Sequence, residues 1–157
     1  MLRLFTPFIG GRAGVGLLIF RVLTGLALMQ HGFSKIQHPF SWMDAMGHGV
    51  PPFLQACAAV AEFGGGLALV LGLLTPIACV GIFITMLVAI TTVHVPQGGH
   101  WIGGPDSFEA AASYAISSIL LFFTGPGSAS LDAKLFKQSR LVEQVHMEER
   151  ERVGLRI

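Results

Sequence analysis

Ionisable side chains inside long apolar stretches are the residues of this sequence best placed to do chemistry. Arg21 and Glu62 each interrupt such a stretch. A charge in hydrocarbon is costly and is retained where it pairs, binds a ligand or moves protons. Counted from one end of its predicted helix, each residue would lie roughly 13–15 Å deep. We therefore predict a buried Arg21–Glu62 ion pair, either as part of a functional site or as a structural clamp.

Further polar side chains gather at matching ends of the predicted helices. His31 and Lys35 close the first helix, His94 closes the third and Glu109 opens the fourth. Such a group could bind a quinone headgroup, exchange protons or hold a metal through the two histidines and Glu109. The alternative is that these side chains cap helices and reach interfacial water, with Lys35 extending to the membrane surface.

Long apolar helices must position these residues, because the chain is 52% hydrophobic and only 12% charged. Soluble domains carry about 25% charged residues. Four apolar stretches approach the roughly 20 residues that span a bilayer. They are predicted at about 13–32, 53–74, 76–95 and 107–124. The sequence therefore predicts a single all-α domain, a four-transmembrane-helix antiparallel bundle in contact with lipid.

Positive charges flank the predicted bundle unequally. One side carries five of them close to the helices: Arg3, Arg12, Lys134, Lys137 and Arg140. The opposite side carries Lys35 alone. The positive-inside rule then places both termini in the cytoplasm and the first and third loops outside. The tail, 125–157, reads as an amphipathic surface helix or a solvated segment, and no charged tract indicates nucleic-acid binding.

Several motifs together resemble the DoxX family of small membrane proteins. In chain order they are HGFSK at 31–35, EFGGGLALVLGLLTP at 62–76, His94, FEAAASY at 108–114 and GPGSASLDA at 125–133. The resemblance covers about residues 12–135. It implies a four-helix membrane fold linked to redox metabolism. Some relatives resemble subunits of a thiosulfate:quinone oxidoreductase, and others resemble partners in complexes that handle thiol or oxidative stress.

One reading of the function is a quinone-linked redox protein, or a subunit of an oxidoreductase complex in the inner membrane. A polar cavity opening outward would then hold the quinone headgroup. His31, His94 or Glu109 would exchange protons with it, and Arg21 would polarise a carbonyl.

The second reading is a non-enzymatic scaffold or binder of a small apolar ligand that recruits a catalytic partner. Arg21 and Glu62 would then hold the bundle together, and a second copy of the chain is a further candidate partner. Cys57 and Cys79 are predicted roughly 20 Å apart along the membrane normal, too far for a disulfide. Without such a dithiol, a subunit or binder is favoured over a stand-alone oxidoreductase.

Overall fold

Helices make up the regular secondary structure of the described chain. This computed structural model describes residues 8–44, 47, 49–104 and 107–136, and no β-strand occurs in them. The main helices are α1 (Gly11–Gln37), α2 (Pro52–Leu71), α3 (Thr75–Gln97) and α4 (Glu109–Thr124). A short helical stretch follows at 131–136. The all-α prediction is confirmed, whereas most of the predicted tail helix lies outside the described residues.

Three of these helices are long and apolar enough to cross a membrane. They are α1, α2 and α3, with 27, 20 and 23 residues. The fourth, α4, is also apolar but has 16 residues, which gives a length of about 24 Å. That length falls short of a hydrocarbon core of about 30 Å.

Backbone conformation explains why the helix ends differ by a few residues from the predicted ones. Gly72 adopts a left-handed conformation with φ 64°, so α2 ends at Leu71 instead of near residue 74. Pro76 lies in the first turn of α3, where its missing N–H leaves no broken helical bond. At the other end of the bundle, α1 continues to Gln37, five residues beyond its predicted end at Gly32.

Two helices contain a π-helical turn, which inserts one extra residue into the helix. In α2 the turn is Val60–Gly64, closed by a bond from the Gly65 N–H to the Val60 carbonyl. In α3 it is Ile90–His94. Such turns are rare in proteins as a whole, but where they occur they often lie at functional sites. These two hold Glu62 and His94, both predicted site residues.

Glycines bring α1 and α2 into direct backbone contact. A Cβ on Gly25 would lie 2.6 Å from the Gly66 carbonyl oxygen, and one on Gly66 would lie 2.7 Å from the Gly25 carbonyl oxygen. A Cβ on Gly32 would lie 2.6 Å from the Phe63 nitrogen. Close approach at small residues is the usual way in which membrane helices associate. Because the contacts involve backbone, they fix the relative height of the two helices.

A continuous apolar core joins this helix pair to α3 and α4, which pack extensively on each other. Its buried members come from all four helices: Leu28, Leu69, Cys79, Ile82, Met86, Ala111 and Leu121. The opposite faces of the helices carry exposed Val, Ile, Leu and Phe side chains. That distribution is expected of a bundle whose outer surface contacts lipid.

Gly25→Ala and Gly66→Ala should each lower the melting temperature of the protein in detergent. The added methyl group meets backbone atoms that cannot move aside, and overpacking of this kind costs about 1–3 kcal/mol. Gly16→Ala is the matched control, because no atom lies within 4 Å of a Cβ at that position and alanine favours the helix. Equal melting temperatures for all three variants would contradict the close contact.

Candidate functional site

Glu62 forms an ion pair with Lys35, not with Arg21. The Lys35 Nζ lies 2.6 Å from both Glu62 carboxylate oxygens. The Glu62 side chain is 5% exposed and that of Lys35 is 24% exposed. The predicted Arg21–Glu62 pair is therefore wrong, although each residue is buried as expected.

The register of α1 against α2 explains this outcome. Gly32 lies beside Glu62 and Phe63, and Gly25 lies beside Gly66. Lys35 comes one turn after Gly32 on the extended end of α1, within reach of Glu62. By the same register Arg21 lies level with Leu69, about 10 Å along α2 from Glu62.

An aromatic ring covers the cation of this pair. The Lys35 Nζ lies 4.6 Å from the centre of the Trp42 ring, a cation–π contact. The Trp42 Nε1–H donates to the Gln55 carbonyl at 3.0 Å. The Gln55 side chain accepts a bond from the Met43 N–H and donates to Asp44 and Val50. Buried Gln55 therefore holds the loop between α1 and α2, with Trp42, against the N-terminal end of α2.

Tyr114 and His31 complete the surroundings of Glu62. Their rings meet edge to face, with centroids 5.6 Å apart, and the Tyr114 phenol lies within electrostatic range of the Glu62 carboxylate. Sequence reasoning missed Tyr114, although two signals were available: it is the only tyrosine of the chain, and it ends the FEAAASY motif. The ring of this residue connects α4 to α1.

The remaining predicted site residues lie apart from this cluster. His94 ends the π-helical turn of α3, and Glu109 is exposed at the start of α4. Neither side chain has a hydrogen bond or ion pair to Lys35 or Glu62. Within the described ranges, no three His, Cys, Asp or Glu residues cluster as metal ligands, so His31, His94 and Glu109 do not form the metal site considered above.

Arg21 is the centre of a second polar network at the opposite end of the bundle. Its side chain, 1% exposed, donates from Nη1 to the Leu69 carbonyl and from Nη2 to the Ala129 carbonyl, both at 2.9 Å. A Cβ on Gly72 would overlap the guanidinium. Arg21 thus joins α1 to the end of α2 and to the segment after α4.

Asp132 provides the negative charge of this second network. Its carboxylate accepts the Leu74 N–H at 2.7 Å and the Thr75 N–H at 2.9 Å, and it attracts the Arg21 guanidinium. Its own N–H donates to the Gly72 carbonyl at 2.8 Å. Asp132 therefore caps α3 and stabilises Leu74, whose φ of 48° is unfavourable for a side chain with a Cβ. The sequence analysis included Asp132 in the GPGSASLDA motif but did not predict its role.

An apolar groove of about 190 Å³ lies between α3 and α4. Its lining residues are Cys79, Val80, Phe83, Ser118, Ile119, Phe122 and Phe123. None of the predicted site residues lines it. Cys79 and Cys57 are both free.

Three apolar helices are long enough to span a bilayer, and the charged groups buried inside them, Arg21 and Glu62, have bonding partners. These features define a helical integral membrane protein. The DoxX family model matches residues 16–95. The chain is 32% identical over 126 residues to the Bacillus subtilis protein CatD, provisionally named an oxidoreductase, covering 78% of this chain and 89% of that protein. The chain belongs to the DoxX family, as its motifs predicted.

Two relatives from Escherichia coli are also similar along most of their length. The inner membrane protein YqjF is 32% identical over 129 residues, covering 79% of this chain and 95% of that protein. The inner membrane protein YphA is 31% identical over 131 residues, covering 80% and 94%. No solved structure matches the chain.

Arg21→Met should destabilise the protein strongly, by about 3–5 kcal/mol, because it leaves the Leu69 and Ala129 carbonyls without their donor and buried Asp132 without a nearby positive charge. Arg12→Met is the control, since Arg12 is an exposed cation of the same helix. Thermal unfolding in detergent measures the effect. If Arg21→Met melts like Arg12→Met, Arg21 does not hold these elements together.

Proposed function

We propose that this protein is a subunit of a quinone-linked membrane oxidoreductase, with the headgroup site at the Lys35–Glu62 pair. The observation that carries the proposal is the surroundings of that pair. The nearly buried Glu62 carboxylate is bound by the Lys35 ammonium and lies within electrostatic range of the Tyr114 phenol, and the Tyr114 ring meets the His31 imidazole. The provisional name of CatD, an oxidoreductase, supports the same class of activity.

The chemistry of these groups suits a quinone. Lys35 has three N–H donors and directs two bonds to Glu62, so a third can bind a carbonyl oxygen. Reduction of a quinone to a quinol consumes two electrons and two protons. In this proposal a partner subunit delivers the electrons, while Glu62 and His31 exchange the protons. Arg21 has a structural role, which replaces the carbonyl-polarising role expected from the sequence.

The scaffold function remains the second candidate because of one specific observation. Lys35 and Glu62 satisfy each other in a two-oxygen contact, and a closed pair of this kind can serve packing alone. In the first function the Lys35–Glu62 pair binds the quinone headgroup, and in the second it only stabilises the bundle. Quinone binding to a variant without the pair distinguishes them.

Decylubiquinone should quench the fluorescence of Trp42, measured in a Trp101→Phe background that leaves Trp42 as the single tryptophan. The double variant Lys35→Met/Glu62→Gln should keep the fold, because replacing both members of a buried pair is often nearly neutral. It should bind the quinone about tenfold more weakly or worse. Lys134→Met, which removes an exposed cation, is the matched control.

Unchanged quinone affinity in the folded double variant would reject the pair as the headgroup site. If wild-type protein neither binds decylubiquinone nor retains quinone on purification, and the single variants Lys35→Met and Glu62→Gln only lose stability, the scaffold function is supported instead.

We further propose four membrane crossings in the inner membrane, with both termini in the cytoplasm. Two observations support this topology besides the distribution of cations. The Ser128 N–H donates to the Ile9 carbonyl at 2.9 Å, so the start of α1 lies beside the end of α4. The relatives YqjF and YphA are named inner membrane proteins.

Reporter fusions should locate Thr75 and the C-terminus in the cytoplasm and Ser41 outside. A reporter active only in the periplasm and a second active only in the cytoplasm give each position two independent readings. An external C-terminus would mean that α4 does not cross, and the four-crossing topology would be wrong.

A further inference from the structure

The outer side of the Lys35–Glu62 pair is covered by the first loop. The Trp42 ring lies over the Lys35 ammonium, and Met43, next to it, is buried. Gln55, 1% exposed, holds this part of the loop through its backbone carbonyl and its side-chain amide. The Trp42 ring therefore shields the Lys35 ammonium on this side of the pair.

The opposite end of the bundle is closed by the segment after α4. Within 125–133, most residues are buried, and the segment bonds to the end of α2, the start of α3 and Arg21. The N–H groups of Ser128 and Asp132 and the carbonyl of Ala129 all bond to other parts of the bundle, which holds this irregular segment in place. The segment after α4 therefore separates the Lys35–Glu62 pair from water at this end of the bundle.

Two of the lateral boundaries are also tightly packed. Along α1 and α2, glycines place backbone against backbone at Gly25–Gly66 and at Gly32–Phe63. α3 packs extensively on α4. Glu62 cannot be approached through either boundary without separating backbones or removing core side chains.

The boundary between α1 and α4 is different. In the described residues these helices approach each other at few places, and near Glu62 their contact is the edge of one ring on another, His31 on Tyr114. His31 is exposed on the bundle surface, and Tyr114 is half-buried behind it. A change of side-chain rotamer in either ring opens this contact without moving a helix, and such flips are fast at exposed positions.

We propose that the ligand of the Lys35–Glu62 site is dissolved in the bilayer and reaches Glu62 laterally, between α1 and α4, through a gate formed by His31 and Tyr114. The inference rests on the proposed function in taking the pair as the ligand site. It assigns the ligand class: an amphiphile whose polar head passes the gate while its apolar part stays in lipid. A water-soluble substrate is excluded from this route.

Carbodiimides of different polarity test the route without any quinone. The carboxyl O–H of Glu62 adds across a C=N bond of the reagent, and the acyl group then moves to nitrogen or is captured by Lys35 with release of the urea. The first product carries the mass of one reagent, and the second has lost one water. The protein is labelled in intact membranes and its peptides are then analysed by mass spectrometry. Either product shows that the reagent reached Glu62.

Dicyclohexylcarbodiimide, which partitions into lipid, should modify Glu62 in wild-type membranes. A water-soluble dimethylaminopropyl carbodiimide should modify exposed Glu109 but not Glu62. His31→Ala should raise the rate of modification by the apolar reagent several-fold. Trp42→Ala should admit the water-soluble reagent, while Trp101→Ala, on the third loop, should change neither rate.

Two results would overturn the proposal. One is modification of wild-type Glu62 by the water-soluble reagent as fast as that of Glu109. The other is failure of the apolar reagent to modify Glu62 in membranes, although the same reagent modifies Glu62 in the unfolded protein. Failure of decylubiquinone to bind, with lateral modification of Glu62 as expected, would reject the quinone and leave the lateral route supported.

Discussion

Gly25 and Gly66 bring the backbones of α1 and α2 into contact, and that contact sets the height of every polar group on the two helices. With the height fixed, Lys35 lies opposite Glu62 and Arg21 lies opposite the end of α2. A slip of one turn would leave these groups without partners. In hydrocarbon the cost of an unpaired charge is high enough to exclude such a slip. Packing of small residues and pairing of charges therefore favour the same register.

Both polar networks stabilise charged groups inside an apolar bundle, but they do so with different partners. Arg21 and Asp132 direct their bonds to backbone groups at the ends of helices and in the returning segment. Removing either would expose several unsatisfied groups at once, which suits a structural role. Lys35 and Glu62 bond to each other through their side chains, and the Trp42 ring lies over the ammonium. A group held by side chains can change partners without unfolding a helix, so chemistry is better placed at the Lys35–Glu62 pair.

Irregular backbone marks the places where the fold departs from four plain helices. The π-helical turn at Val60–Gly64 accompanies Glu62, and left-handed Leu74 forms the sharp connection from α2 to α3. Each departure is supported by a specific partner: Lys35 for the first and Asp132 for the second. The strained backbone of Leu74 persists because Asp132 and the neighbouring segments hold it in place.

The sequence by itself determined the helical class, the approximate helices, the family and the identity of most buried charges. These follow from local properties: apolar runs, Gly and Pro at helix ends, and ionisable residues within apolar runs. Glu62, Lys35 and Arg21 were all recognisable in this way.

Only the tertiary structure decided which charged side chains form a pair: Glu62 bonds to Lys35 and not to Arg21. The predicted Arg21–Glu62 pair assumed that the end of the first helix, near Gly32, and the start of the second lie at the same membrane level, whereas α1 extends to Gln37 and the glycine contacts set a different register. Tyr114 and Asp132 reach their partners from segments distant in sequence. No periodicity within one helix encodes such a meeting, because it depends on how closely two backbones approach and on where the chain returns.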